Sequence, residues 1–188
     1  MNPYNWEQLK TAVSAGRAFQ YLMFWGHTPR PDGKLDVSCF SQWWGSEFMV
    51  DGKHYSCAEQ YMMAEKARLF GDKQAEQAIM EATHPKQMKQ LGRSVTPFDS
   101  AKWDSHSYAI VKRGTYVKFK QNPDLWEVLK ATAGQMLEEA SPVDTVWGIG
   151  LAQDHPDASN PLHWRGENRL GFALTEVRDH VLEKGWVE

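Results

Sequence analysis

The sequence predicts an α+β fold, a predominantly helical single domain with a small sheet. Its 188 residues, 41% apolar and 24% charged, suffice for one hydrophobic core. Several segments between residues 72 and 134 open on Asp, Thr or Asn and close on glycine, the punctuation of helices. Strand character is confined to short stretches.

Taken in order, residues 1–18 read as a short helical or loose N-terminal extension, and residues 19–188 as the domain proper. Phe19–Phe24 and Glu47–Tyr55 are strand-like, the second a hairpin turning at Asp51-Gly52. The Pro/Gly/Asp cluster His27–Gly33 is a surface loop. A helix is predicted from Cys57 to Phe70, stopping at Gly71; a second from Lys73 to Ala82 behind an Asp72 cap; and a third with Pro85 in its first turn, ending at Gly92. Ser100–Lys120 makes a long helix, and Asn122-Pro123-Asp124 starts another that ends near Gly134. Met136–Ala140 and Thr145–Ile149 read as extended. The last helix, Arg169–Lys184, carries Leu170, Leu174, Val177 and Val181 on one stripe.

Lys and Arg number 21 against 24 Asp and Glu, a net charge of −3, the wrong balance for a protein that coats nucleic-acid backbones. Cys39 and Cys57 form no CxxC pair, and the first residues lack a basic stretch followed by an apolar run, so the expectation is a reduced, cytoplasmic chain. No apolar run is long enough to cross a membrane. The seven histidines show no HExxH or zinc-type spacing, and there is neither a Walker loop nor GxGxxG, so no metal and no cofactor are expected. Nine tryptophans are many for this length. Six of them, Trp25, Trp43, Trp44, Trp103, Trp147 and Trp164, stand near turn residues, as in a cleft that stacks a planar ligand or in a core filled by large rings.

Three constellations could carry chemistry. On the Cys57–Phe70 helix, Glu59, Met63, Lys66 and Phe70 share one narrow face, whereas Tyr61, Ala64, Glu65 and Arg68 point away. Charged groups on an apolar face are costly unless paired or used, and a desolvated lysine is nucleophilic near neutral pH. The structural alternatives are a capping box, with Glu59 reaching back to the Ser56 amide, and a Lys66 that snorkels to solvent. In Asp144-Thr-Val-Trp147-Gly148-Ile-Gly150 the glycines let backbone approach a ligand, Trp147 offers a wall and Asp144 an acceptor or base; a glycine-punctuated strand with a core Trp explains the same pattern. In Trp164-Arg165-Gly166-Glu-Asn168-Arg169-Leu-Gly171 the helix start could bind phosphate, or Asn168 could simply cap it. Leu91-Gly92-Arg93 and Trp103 add a helix-end cation and another indole.

In sequence order these blocks resemble the NADAR, or YbiA-like, family of N-glycosidases. The resemblance runs from Phe19 to Val177. Its blocks are Asp51-Gly52, Tyr55-Ser56-x-x-Glu59-Gln60-Tyr61-Met62-Met63-Ala64-x-Lys66-Ala67, Leu69-Phe70-Gly71-Asp72, Leu91-Gly92-Arg93, Trp103, Lys118-Phe119-x-Gln121-Asn122-Pro123, Ala140-Ser141-Pro142-x-Asp144-x-x-Trp147-Gly148-Ile149-Gly150 and Trp164-x-Gly166-x-Asn168-x-Leu170-Gly171. It departs at Ser41-Gln42-Trp43, where the family pattern has Ser-Asn-Phe. The resemblance implies a YbiA-like fold and cofactor-free cleavage of a ribose–base bond. Glu59, Lys66 and Asp144 become the expected catalytic residues, and Arg93, Trp103, Trp147, Gly148, Asn168 and Gly171 the expected substrate contacts. The expected substrate is a small phosphorylated nucleoside-like molecule, namely a phosphoribosylated pyrimidine intermediate of riboflavin biosynthesis. ADP-ribose on modified guanine in nucleic acid is the alternative substrate, and a non-catalytic nucleotide or ADP-ribose-binding module is the rival function. No membrane and no obligate protein partner are implied.

Overall fold

The computed structural model describes residues 2–186, which form two compact units. The first comprises residues 1–41 and 124–188, the second residues 42–123.

In the first unit, β1 (Gln20–Phe24) pairs in parallel with β4 (Gln135–Glu139), in register from Gln20↔Gln135 to Phe24↔Glu139. Parallel strands need a long crossover; here the connecting chain includes the whole second unit. Helix α1 (Trp6–Ser14) buries Leu9, and its N-terminal side is tied down, with Trp6 Nε1 donating to Pro161 O at 2.8 Å and Asn2 Nδ2 to Asp179 Oδ2 at 2.8 Å. The N-terminal residues are therefore packed into this unit rather than loose. Helix α6 (Pro123–Lys130) precedes β4, and α7 (Arg169–Lys184) packs on it with the predicted stripe Leu170, Leu174, Val177 and Val181 buried. The Arg178 guanidinium is wholly buried, donating to Thr132 O at 2.8 Å and to Asp179 Oδ1 at 2.7 Å.

Among the described residues, the edge of β4 away from β1 has no strand beside it. Side chains take the strand's place: Asn168 Nδ2 donates to Leu137 O at 2.9 Å, Asn168 Oδ1 accepts from Glu139 N at 2.9 Å, and Thr175 Oγ1 accepts from Leu137 N at 3.2 Å. This satisfies backbone groups that burial would otherwise strand. It also draws α7 so close that a Cβ on Gly171 would stand 2.2 Å from Leu137 O.

In the second unit, β2 (Gly45–Val50) and β3 (Lys53–Cys57) form the predicted hairpin. Helix α2 (Ala58–Phe70) follows at once and stops at left-handed Gly71. Around it lie α3 (Lys73–Glu81, capped by Asp72), α4 (Pro85–Arg93) and α5 (Ser100–Gln121, capped by Asp99). Helix α4 runs one residue past the predicted stop, and Gly92 in its last turn serves close packing, since a Cβ there would lie 2.0 Å from Met63 Sδ. Two further expectations are corrected. Thr145–Ile149 forms no strand. Tyr61 and Ala64 do not face away from the core but are buried, Tyr61 against Phe48, Tyr55 and the glycine gap at Gly114. None of the helices is long and apolar enough to cross a membrane, among the described residues.

On β4, the carboxyl group of Glu138 is fully buried, and neither oxygen has a hydrogen-bond partner among the described residues. Burial pushes its pKa from 4.5 up to about 9. The native state therefore keeps a proton that the unfolded state loses above pH 4.5, so stability is full below that pH and falls as pH rises toward 9. Glu138→Gln is expected to stabilise the protein at pH 8 by at least about 2 kcal/mol, to be nearly neutral at pH 4.5, and to flatten the dependence between, as read by denaturant unfolding at several pH values. A Cβ at Gly171 meets the Leu137 carbonyl and the Asn168 side chain that is tied to it, so Gly171→Ala is expected to lower the unfolding free energy by about 1–3 kcal/mol, read as a lower denaturant midpoint at unchanged slope.

Candidate active site

Helix α2 holds the expected catalytic pair. Its cap is Cys57, in extended conformation and without a side-chain cap bond; the Glu59 amide donates instead to Gln42 O at 2.9 Å. The side chain that reaches back to Ser56 belongs to Gln60, whose Oε1 accepts from Ser56 N at 2.8 Å while its Nε2 donates to Ile79 O at 3.1 Å. Ser56 and Glu59 therefore do not form the alternative capping box, since the neighbouring residue satisfies that amide. The Glu59 side chain is buried. Seven steps apart at about 1.5 Å rise each, Glu59 and Lys66 start about 10 Å apart along the helix, enough to bracket a sugar ring.

Lys66 is half-buried under aromatic rings, its Nζ 4.4 Å from the Phe98 centroid and 5.4 Å from that of Trp103. Burial lowers its pKa below the ordinary 10.5, and the Arg93 charge lowers it further. Among the described residues Lys66 has no carboxylate partner, whereas Arg68 is bound to Glu76, Glu65 and the Tyr55 hydroxyl. Three expected site residues, Lys66, Arg93 and Trp103, are thus brought together in the second unit. The rings over Lys66 replace the simple snorkelling alternative.

Asp144, Trp147, Gly148, Asn168 and Gly171 belong to the first unit, whereas Glu59 lies in the second with Lys66. Asp144 Oδ1 accepts from Val146 N at 3.0 Å and Trp147 N at 2.8 Å, which shapes the turn that presents the Trp147 indole. Arg169 lies over that indole, 5.2 Å from its centroid. Residues 145–149 and 165–170 are laced together through backbone: Arg165 N to Ile149 O at 3.0 Å, Asn168 N to Gly148 O at 3.0 Å, Arg169 N to Val146 O at 3.2 Å and Leu170 N to Trp147 O at 3.1 Å. Gly148 packs on this lacing, with a Cβ there placed 2.8 Å from Glu139 O.

The phosphate role expected at the start of α7 is corrected by this geometry. The Arg169 and Leu170 amides are spent on loop carbonyls, and Asn168, buried with φ 54° and no capping bond, gives its side chain to β4. The small side of Gly171 admits Leu137 O rather than a ligand. Of the tryptophans, Trp164 is a core residue whose Nε1 donates to Ala158 O at 2.7 Å.

Sequence reasoning passed over Phe98, Lys118 and Glu138. Lys118 is buried on α5, within a block quoted for its pattern but not as a site. Glu138 was legible as one of two adjacent acids in an apolar strand, because alternation must turn one of them inward.

The NADAR domain family model matches residues 23–182. The chain is 40% identical over 165 residues to N-glycosidase R617 of Acanthamoeba polyphaga mimivirus, covering 85% of this chain and 95% of that protein. It is 30% identical over 146 residues to N-glycosidase YbiA of Escherichia coli, covering 78% and 81%. The NMR structure of E. coli YbiA superposes with a TM-score of 0.69 at 25% identity, covering 89% of this chain and 88% of that one. With an enclosed amine and carboxyl group on one helix, and a match over most of its length, the chain belongs to the NADAR domain family and is an N-glycosyl hydrolase.

Proposed function

We propose that this enzyme hydrolyses the bond between ribose and base in phosphoribosylated pyrimidine intermediates of riboflavin biosynthesis. The observation that carries the reading is the Lys66 amine, half-buried beneath Phe98 and Trp103, beside the Arg93 charge and without a carboxylate partner among the described residues. Burial and the Arg93 charge both favour the neutral form of the amine, the form that acts as a nucleophile. The net charge of −3 favours a small phosphorylated metabolite over a polynucleotide.

In the proposed reaction the Lys66 nitrogen attacks the anomeric carbon, and the bond from that carbon to the ring oxygen breaks as the oxygen takes a proton carried by Glu59. The base then departs with a proton on its nitrogen, leaving an imine between Lys66 and the opened sugar. Water adds to the imine carbon, the amine is released, and the sugar aldehyde closes again; the sum is riboside plus water giving sugar and base. Trp103 supplies a stacking surface for the base and Arg93 a charge for the phosphate. In the first unit, Trp147 beneath Arg169 is a planar, cationic surface of the same chemical character, and Asp144 serves it by holding the turn.

Base release from phosphoribosylated pyrimidines and from ADP-ribosylated guanine, followed by chromatography, tests the substrate. Faster release from the guanine conjugate would replace the first reading with the second, and tight binding without release of either would indicate a nucleotide sensor. Glu59→Gln is expected to reduce kcat by roughly 10²–10⁴ while leaving substrate affinity within a few-fold, measured by turnover and calorimetry. Borohydride added during turnover is expected to leave a sugar adduct on Lys66 by peptide mass spectrometry; an unmodified Lys66 would move the chemistry to direct attack by water activated on Glu59 or Asp144.

A further inference from the structure

The connector between α4 and α5, residues 94–99, holds an aromatic ring where solubility alone would not place one. Phe98 is 50% exposed. On either side of it the chain is fixed: Val95 is buried, Thr96 N donates to Asp72 Oδ2 at 2.9 Å, and Asp99 caps α5 through Lys102 N at 2.9 Å. The ring is braced by Phe70, with centroids 5.2 Å apart at 58°, and lies 4.4 Å from Lys66 Nζ. Anchored so on both sides, an exposed phenyl ring has a defined place over the amine rather than a loose one.

We propose that Phe98 is a positioning residue of this site, a roof that keeps water from the Lys66 amine and holds it toward the face bounded by Trp103. The inference rests on the reading of Lys66 as the working amine, but the roof itself is testable without substrate. Two opposing effects act through the ring. Its π face favours the ammonium form, whereas its bulk excludes the water that would solvate that form. Burial is the first cause of the lowered Lys66 pKa, ahead of the Arg93 charge, and the roof acts by adding to that burial. The other charged groups around the amine are fixed in kind: Arg93 from α4 repels the ammonium, Lys102 from α5 lies over Phe70 and donates to Leu69 O at 3.0 Å, and Glu59 stands two turns back on α2. None of them depends on Phe98 for its place on its helix.

The test is competitive labelling of the intact protein with acetic anhydride from pH 6 to 11, with Lys66 read by peptide mass spectrometry. The midpoint of the Lys66 curve reports its ionisation independently of how easily the reagent enters. Phe98→Ala is expected to raise that midpoint toward 10.5 and so to lower the neutral fraction of the amine at pH 7.5. Phe98→Leu, which keeps the cover and removes the π face, is expected to leave it at or below the wild-type value. The acid limb of kcat/KM for base release should move with the labelling midpoint in each variant. An unmoved midpoint in Phe98→Ala overturns the roof, and so does an equal rise in Phe98→Leu, which has an apolar side chain of comparable reach. If wild type releases no base but its Lys66 midpoint still shifts in Phe98→Ala, the roof stands and the glycosidase reading of Lys66 falls.

Discussion

The enclosure of α2 is the constraint on which the proposed chemistry depends. A helix on the surface can carry Glu and Lys at no cost, because water solvates both. This one is walled by β3, α3, α4 and α5, and two glycines make the walls close: Gly92 lets α4 settle onto Met63, and Gly114 lets α5 settle onto Tyr61. Burying polar groups is expensive unless each finds a partner or a use. Gln60 shows the first solution, spending its amide on Ser56, Ile79 and Met80. Lys66 shows the second, with rings in place of a counter-ion.

The first unit meets the same rule with backbone instead of side chains. Strand β4 has one strand neighbour, and its other edge is completed by Asn168 and Thr175. Because these two residues sit on and just before α7, satisfying the strand edge also fixes where the helix starts. The loop from Asp144 to Gly150 is then laced onto that start, which sets the position of Trp147. Asn168 is thus necessary to the unit through hydrogen bonds that leave it nothing to offer a phosphate.

Most elements were legible because their signals are local. Asp72, Asp99 and Pro85 act within one turn, and Asp51-Gly52 within a hairpin. What the sequence hid was non-local. Parallel pairing of β1 with β4 has no signature at either strand, since the partner lies beyond an entire inserted unit. Periodicity placed Tyr61 and Ala64 away from the Glu59 face correctly as an angle, but an angle does not reveal that a second apolar wall waits there. The exchange of Glu59 for Gln60 at the Ser56 amide is a matter of one residue of helix phase, below what spacing rules resolve. Gly171 was readable as a close approach, yet only coordinates distinguish approach by a ligand from approach by Leu137 O.

The same geometry bears on the choice between Lys66 as nucleophile and Lys66 as a mere counter-charge for phosphate. A lysine kept for its charge is best left hydrated or set beside a carboxylate, either of which holds the proton on nitrogen. Arg68, two residues on and on the other side of the helix, is built in that manner, with Glu65 and Glu76 as partners. Lys66 has the opposite surroundings, partial burial together with a neighbouring guanidinium, and both act to remove its proton. Arg93 is exposed, and its guanidinium has the donors to take a phosphate without help from Lys66. Under the proposed reaction the labour is divided between these side chains: the guanidinium takes the anion, and the amine, relieved of that duty, attacks carbon.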